Sequence, residues 1–358
     1  MLTQPNLSWD NVPAQLLTQP GQLHDEWDRL NTERSHLPFL SADALAIALQ
    51  IFGNGKERLL VGRLNGRNCA MCLLTNVGKL QWQTFQPSQL PLGAWVAESA
   101  LELDQMAKSL LHGPLKLALS LSVTQVDPAY ALRGDDTDSN RHDDYIDTAW
   151  VDIVGSFDDY WAARGKNLRQ NMRKQRNKLQ NESVVVQMRV TRDASEIPSA
   201  IARYGELEKS SWKSQLGTAI TPDNDQGRFY TQLLVKAAER GEGVVFEYLF
   251  DDKVVASNLC LCRAGTLVIL KTTYDESIQN YSPAFLLNQD MIESLFKQQT
   301  VRRLEYYGRV MEWHTRWTDN RRTLYHVTTF RHGILKRLAH ARAAREAVEP
   351  TETPAQSA

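Results

Sequence analysis

Two stretches of this sequence carry residue types suited to holding an anion. The first, TLVILKTTYDESIQNYSPAFLL, runs from a β-branched segment through a polar loop into an apolar-periodic one. Ser282 suits an N-cap and Pro283 the first helical position, so a helix is expected to begin there. The unpaired N–H groups and the positive dipole end of that helix face the loop, where a phosphate would satisfy both. The second stretch, Tyr160 to Asn181, contains no acidic residue. Arg164, Lys166, Arg169, Arg173, Lys174, Arg176 and Lys178 give it seven positive charges, and Leu168, Met172 and Leu179 recur at helical spacing. An amphipathic helix with a basic outer face follows. Composition leaves two readings open: a solvated face, paired with the acidic run before it, or a site for phosphates, nucleic acid or anionic lipid headgroups.

Other chemistries find little support. Cys69 and Cys72 have redox or zinc spacing, but they lie in the strand-like run NCAMCLLT, where residues three apart point to opposite faces. Cys260 and Cys262 share a face with no second Cys/His pair near them in the sequence, so both pairs read as small core residues. No HxH or HExxH pair, no GxSxG, no GxGxxG and no GxxxxGK[ST] occurs. No metal site is expected.

The elements that must position these residues fall into two groups. The chain has 358 residues, 41 Lys+Arg against 42 Asp+Glu, and 42% hydrophobic residues, ordinary values for a globular protein of about two domains. The longest apolar runs fall short of a membrane span, and the N-terminus has neither the basic start nor the apolar core of a secretory signal. A cytoplasmic protein is expected. Residues 1–155 show helical stretches near 22–31, 42–52 and 97–111, with strands RLLVGRLN, CAMCLLT, KLQWQTF and LKLALSLSV. The run GDDTDSNRHDDYID, with six Asp in fourteen residues, reads as a solvated, mobile loop near the domain junction. Residues 156–335 contain the basic helix and then the order β-α-α-β-β-β-α-β-(α)-β, with Asp251-Asp252 and Ala264-Gly265 as the turns between the central strands. Residues 336–358 form a basic helical stretch and a tail of disordered composition.

Three antiparallel strands followed by a well-capped helix is the layout of the GNAT acyltransferases. The segments YWAARGKNLRQNMRKQRNKL, SSWKSQLGTAI, LKTTYDESIQNYSPAFLL and GRVMEWHTRWTD, in this order, resemble the GNAT branch related to the cellulose-biosynthesis-type acetyltransferases and the Fem-type aminoacyltransferases. The resemblance covers about residues 150–330. It implies an α/β fold with a mixed sheet and tandem GNAT-like units, the first of them degenerate. Gln279-x-x-Ser282-x-Ala284 is similar to the superfamily's pyrophosphate loop, with serine and proline in place of smaller residues. The family usually has Asp where Glu305 stands and Lys where His314 stands.

The implied activity is acyl transfer from acetyl-CoA or another acyl-CoA to an amine or hydroxyl, without a metal, on a polysaccharide or cell-envelope-related acceptor. The alternatives are aminoacyl transfer from charged tRNA, which the basic helix favours, and a non-catalytic subunit of an envelope-assembly complex. The resemblance assigns Glu305 as general base, against a carboxylate paired with Arg302, Arg303 or Arg309. Tyr274 and Asp275 carry the family's TYD signature, Asp275 being equally suited to capping a loop. Thr272 and Thr273, with Gln279, Ser282 and Ala284, would hold the cofactor. Trp212, Lys213, Lys271, Trp313, Arg169 and Arg173 would face the acceptor or its anionic groups.

Overall fold

The computed structural model describes residues 7–209 and 220–346, with side chains to residue 339. The first half consists of β1 (Ser8–Pro13), α1 (Gln22–Arg34), α2 (Ala42–Phe52), β2 (Arg58–Leu64), β3 (Arg67–Gly78), β4 (Gln81–Thr84), β5 (Trp95–Ala97), α3 (Leu103–His112) and β6 (Ser120–Val126). A long strand, β7 (Asn140–Asp152), leads to α4 (Phe157–Ala162) and α5 (Lys166–Asn181). The second half continues with β8 (Val186–Thr191), α6 (Ile197–Lys209), α7 (Asp225–Ala238), β9 (Gly243–Phe250), β10 (Lys253–Arg263) and β11 (Thr266–Tyr274). It ends with α8 (Pro283–Gln298), β12 (Arg303–Glu305), α9 (Glu312–Thr315), β13 (Arg321–Phe330) and α10 (Gly333–Glu346).

The halves repeat one pattern. β1, β2, β3 and β4 pair antiparallel in sequence and β4 then runs parallel to β6; β8, β9, β10 and β11 pair likewise and β11 runs parallel to β12. Between the repeats, β13 pairs with β6 and β7 pairs with β12, while β7 and β13 pair with each other. The last strand of the chain therefore completes the first half, and the strand that closes the first half completes the second. One continuous mixed sheet results, in the order β1-β2-β3-β4-β6-β13-β7-β12-β11-β10-β9-β8. α2 packs against α7, so Leu45, Leu59, Phe229, Leu234 and Leu259 belong to one core shared by both halves. α5 and α8 cover the opposite face of the second half through Leu168, Met172, Leu287 and Met291.

Local chemistry accounts for these elements. Asp251-Asp252 and Ala264-Gly265 all have positive φ, the geometry of two-residue hairpin turns, and Gly241 ends α7 with φ 74°. Three expectations need correction. The acidic run is a loop only as far as Ser139, because from Asn140 it is strand β7. Its carboxylates stay at the surface, as expected, and some also take partners: Asp143 with Arg141 (2.6 Å), Asp147 with the Thr323 hydroxyl (2.6 Å) and Asp136 with Lys336 (3.2 Å). Pairing with β13 along nine residues overrides the poor β propensity of aspartate. The basic helix is broken at Ala163–Gly165 into α4 and α5. α3 starts at Leu103, not near 97, because Trp95–Ala97 pairs with β3.

Candidate active site

β11 and β12 run side by side only from Thr266 to Val268, opposite Arg303 to Glu305. Beyond that the ladder between them ends, and Ile269–Tyr274 border the opening that results. The opening is a cavity of about 710 Å³, walled by Ile269–Tyr274, by Glu276, Gln279 and Ser282–Phe285 of the loop and α8, and by Tyr306, Trp313, His314 and Trp317 beyond β12. This edge of β11 lines the cavity.

The loop between β11 and α8 is shaped by its own residues. Asp275 accepts from the Ser277 N–H (3.1 Å) and binds Lys253 at 2.8 Å, contacts that hold its carboxyl below the usual range despite burial. It caps the 3-10 segment Glu276–Tyr281, which is kinked at Ile278, and is absent from the cavity wall. Ser282 takes a left-handed conformation (φ 53°), an uncommon choice for a residue other than glycine, and its side chain makes no cap hydrogen bond. The Ser282 N–H is spent on Gln279 O (2.9 Å) and those of Phe285 and Leu286 on Ser282 O (3.0 and 3.1 Å). Pro283 has no N–H. Among the described residues the Ala284 N–H alone of this first turn is left for a ligand, fewer donors than an ordinary helix start offers.

The other predicted residues divide. Thr272, Thr273, Tyr274, Gln279, Ser282, Ala284, Lys271 and Trp313 are brought together around the cavity. Burial, followed by the nearby Glu276 carboxylate, raises the Tyr274 phenol above its ordinary value, so it is protonated at neutral pH. Lys271 sits at 3.1 Å from both oxygens of the fully buried Glu208, which also accepts from the Ile220 N–H (2.8 Å). Trp212 and Lys213 lie outside the described residues. Arg169 and Arg173 are on the exposed face of α5, away from the cavity.

Glu305 is not in the cavity. Alternation along the strand turns Tyr306 toward α8, where its hydroxyl meets Asn288 (3.4 Å), and Glu305 toward the joint between the halves. There Arg322 binds both oxygens of Asp127 (2.8 and 2.7 Å) and Glu305 Oε2 (3.0 Å), while Arg303 stands 3.8 Å from Oε1. Of the arginines expected as partners only Arg303 is near, and the main one, Arg322, comes from β13, too far along the sequence for spacing to reveal. Burial pushes the Glu305 carboxyl up to about 7, against the pull of Arg322.

Three features escaped the sequence. Asn288 and Tyr306 line the cavity, as does His314, which the family resemblance marked only as a departure from Lys; isolated polar or aromatic residues near a short strand give no pattern to read. The end of α5 touches the α8 loop: the Lys178 ammonium lies 3.7 Å from the Tyr281 ring centre and the Tyr281 hydroxyl donates to Glu182 (2.8 Å). In the first half the corresponding opening between β4 and β6 is filled. The Gly93 N–H donates to Thr124 O (3.1 Å), the Ala94 N–H to Phe85 O (3.1 Å), and the Thr84 and Thr124 hydroxyls meet at 2.7 Å. A Cβ at Gly93 would lie 2.4 Å from the Thr84 hydroxyl and 2.6 Å from Thr124 O, so glycine permits this closure.

Among the described residues no group of three or more His, Cys, Asp or Glu is placed to hold a metal ion, and no helix is long and apolar enough to cross a membrane.

Residues 166–315 match the family model described as an acetyltransferase (GNAT) domain. A search of curated protein sequences finds no match. Among solved structures the fold is similar to FemX (10% identity, TM-score 0.56, covering 89% of this chain and 98% of that one). It is also similar to the C-terminal domain of a putative lysylphosphatidylglycerol synthetase from Agrobacterium fabrum (12% identity, TM-score 0.55, 90% and 95%). A third similar structure is a protein of unknown function from Bacteroides thetaiotaomicron (11% identity, TM-score 0.54, 86% and 97%).

Proposed function

We propose that this chain, whose second half carries a GNAT acetyltransferase domain, transfers an acyl group from acetyl-CoA or a related thioester to an amine or hydroxyl. The observation that carries the reading is the divergence of β11 from β12 above the start of α8, which joins an open strand edge to a helix N-terminus in one cavity. The thioester enters between the strands. Its pyrophosphate rests on the loop Gln279–Ala284, held by the Ala284 N–H, the helix dipole and Lys178 beside Tyr281. The edge of β11 from Thr272 to Tyr274 turns backbone N–H groups to the acyl oxygen as negative charge develops on it. The acceptor's nitrogen or oxygen bonds to the acyl carbon, the C–S bond breaks, and the acceptor's proton is given up to solvent. The Tyr274 phenol protonates the departing CoA thiolate and is reprotonated from water. No proton transfer is assigned to Glu305 or Asp275, which face away from this space. The acceptor we infer is a polar, polysaccharide or cell-envelope-related molecule, approaching past Lys271 and Trp313.

A second reading, transfer of an aminoacyl group from charged tRNA, draws on one observation. Lys166, Arg169, Arg173 and Lys174 are exposed on α5 with no acidic partner among the described residues.

Isothermal titration separates the readings. Acetyl-CoA is expected to bind, and Ala284→Asp to weaken binding at least tenfold by crowding the loop and repelling the phosphates. Tight binding of tRNA with none of acetyl-CoA would support the second reading and remove the first.

A further inference from the structure

We propose that His314 presents its Nε2–H as a hydrogen-bond donor to the acyl carbonyl oxygen of a thioester in this cavity, an assignment that rests on the acyl-CoA reading above. The Met311 N–H donates to His314 Nδ1 at 2.9 Å, so Nδ1 carries a lone pair and the ring proton belongs on Nε2. The ring cannot swing: Trp313 stacks on it at 3.5 Å between centroids and 26° between planes, and Tyr306 meets it edge-on at 4.8 Å and 81°. The residue is 5% exposed and part of the cavity wall, and Nε2 has no hydrogen-bond partner among the described residues. Nε2 is not among the side-chain atoms sealed from solvent without a partner, so it opens on the cavity, where water serves it until a ligand oxygen takes that place.

The surroundings also decide its charge. Burial lowers the basicity of the ring to about 4, the hydrogen bond from Met311 acting as the only other influence, so at neutral pH it is an imidazole and not an imidazolium. Nε2 already holds its proton, so the ring cannot serve as a base there. A fixed neutral donor strengthens its hydrogen bond as the carbonyl oxygen gains charge and exchanges no proton in doing so. It would act from the β12 side of the opening, while the backbone of Thr272–Tyr274 acts from the β11 side.

Two measurements on the full chain test this, with His314→Ala and His314→Gln as variants; glutamine keeps an N–H donor near the Nε2 position. Nitrogen NMR of the imidazole is expected to show an Nε2–H tautomer that does not titrate between pH 5.5 and 8; an Nδ1–H tautomer, or titration near 6.5, overturns the proposal. With acetyl-CoA labelled at its carbonyl carbon, the bound carbonyl resonance is expected to move downfield in the wild type, to revert in His314→Ala and to be partly restored in His314→Gln. The dissociation constant should stay within about twofold throughout, since in the ground state the carbonyl oxygen only takes the place of water on Nε2 and the bond strengthens later, as charge builds up. The same carbonyl shift in wild type and His314→Ala, with acetyl-CoA bound to both, overturns this proposal and leaves the function standing. Failure of acetyl-CoA to bind the wild type overturns both.

Discussion

Arg322 shows how one residue can redirect the chemistry of its neighbours. It neutralises Asp127 and holds Glu305, both fully buried at the joint between the halves. Removing it would leave Asp127 without a cationic partner and Glu305 with only Arg303 at 3.8 Å, at a cost of about 3–5 kcal/mol. Glu305→Gln is milder, because Asp127 still balances the guanidinium. The Glu305 carboxyl lies near 7 in the fold against 4.5 for the free side chain, so between these values the unfolded chain is the form that has lost the proton. Stability from this group is therefore full below pH 4.5, falls as pH rises through 7 and is level beyond. Urea titrations of wild type and Glu305→Gln across pH 5 to 8 are expected to show the variant gaining relative stability as pH rises, with acetyl-CoA affinity unchanged. A parallel pH dependence would contradict the burial argument. A drop in turnover of about 10²-fold with fold and affinity intact would return the base role to Glu305. The sequence made Glu305 conspicuous because it could be matched to a family position, but the partner that fixes it comes from a distant strand.

At the scale of elements, the periodic segments were the readable ones. α2 occupies the expected residues, Leu168, Met172 and Leu179 form the buried stripe of α5, and the turns at 251–252 and 264–265 lie where the short polar dipeptides placed them. What failed was context. Nothing local marks Asn140–Asp147 as a strand, since its stability comes from β13, and nothing local marks the loss of donors at α8, since that follows from how Ser282 turns. The seven charges of the basic stretch also separate by context. Arg164 donates to Trp317 O (2.7 Å), Arg176 is tied to Asp290 and Gln289, and Lys178 lies on Tyr281. Lys166, Arg169, Arg173 and Lys174 remain for a polyanion. Reversing Arg169, Arg173 and Lys174 to Glu is expected to weaken binding of the anionic acceptor or of tRNA and to flatten its salt dependence, leaving the fold intact. Equal affinity and salt slope would make this a solvated face.

Seen whole, the molecule is a repeat in which one copy kept its opening and the other closed it. The division we propose, residues 1–155 and 156–335, is crossed by the exchange of β7 and β13, so each half depends on a strand from the other. That exchange is invisible to periodicity, which reads each strand without its neighbours; the repeated element order was the part a sequence could show. With the opening around Gly93 closed, the acyl-CoA site we propose lies in the second half. The most direct test is a crystal structure with acetyl-CoA. One molecule per chain is expected, its pyrophosphate on Gln279–Ala284 and its acyl group between β11 and His314. Acetyl-CoA in the first half, or outside the cleft between β11 and β12, would contradict the account.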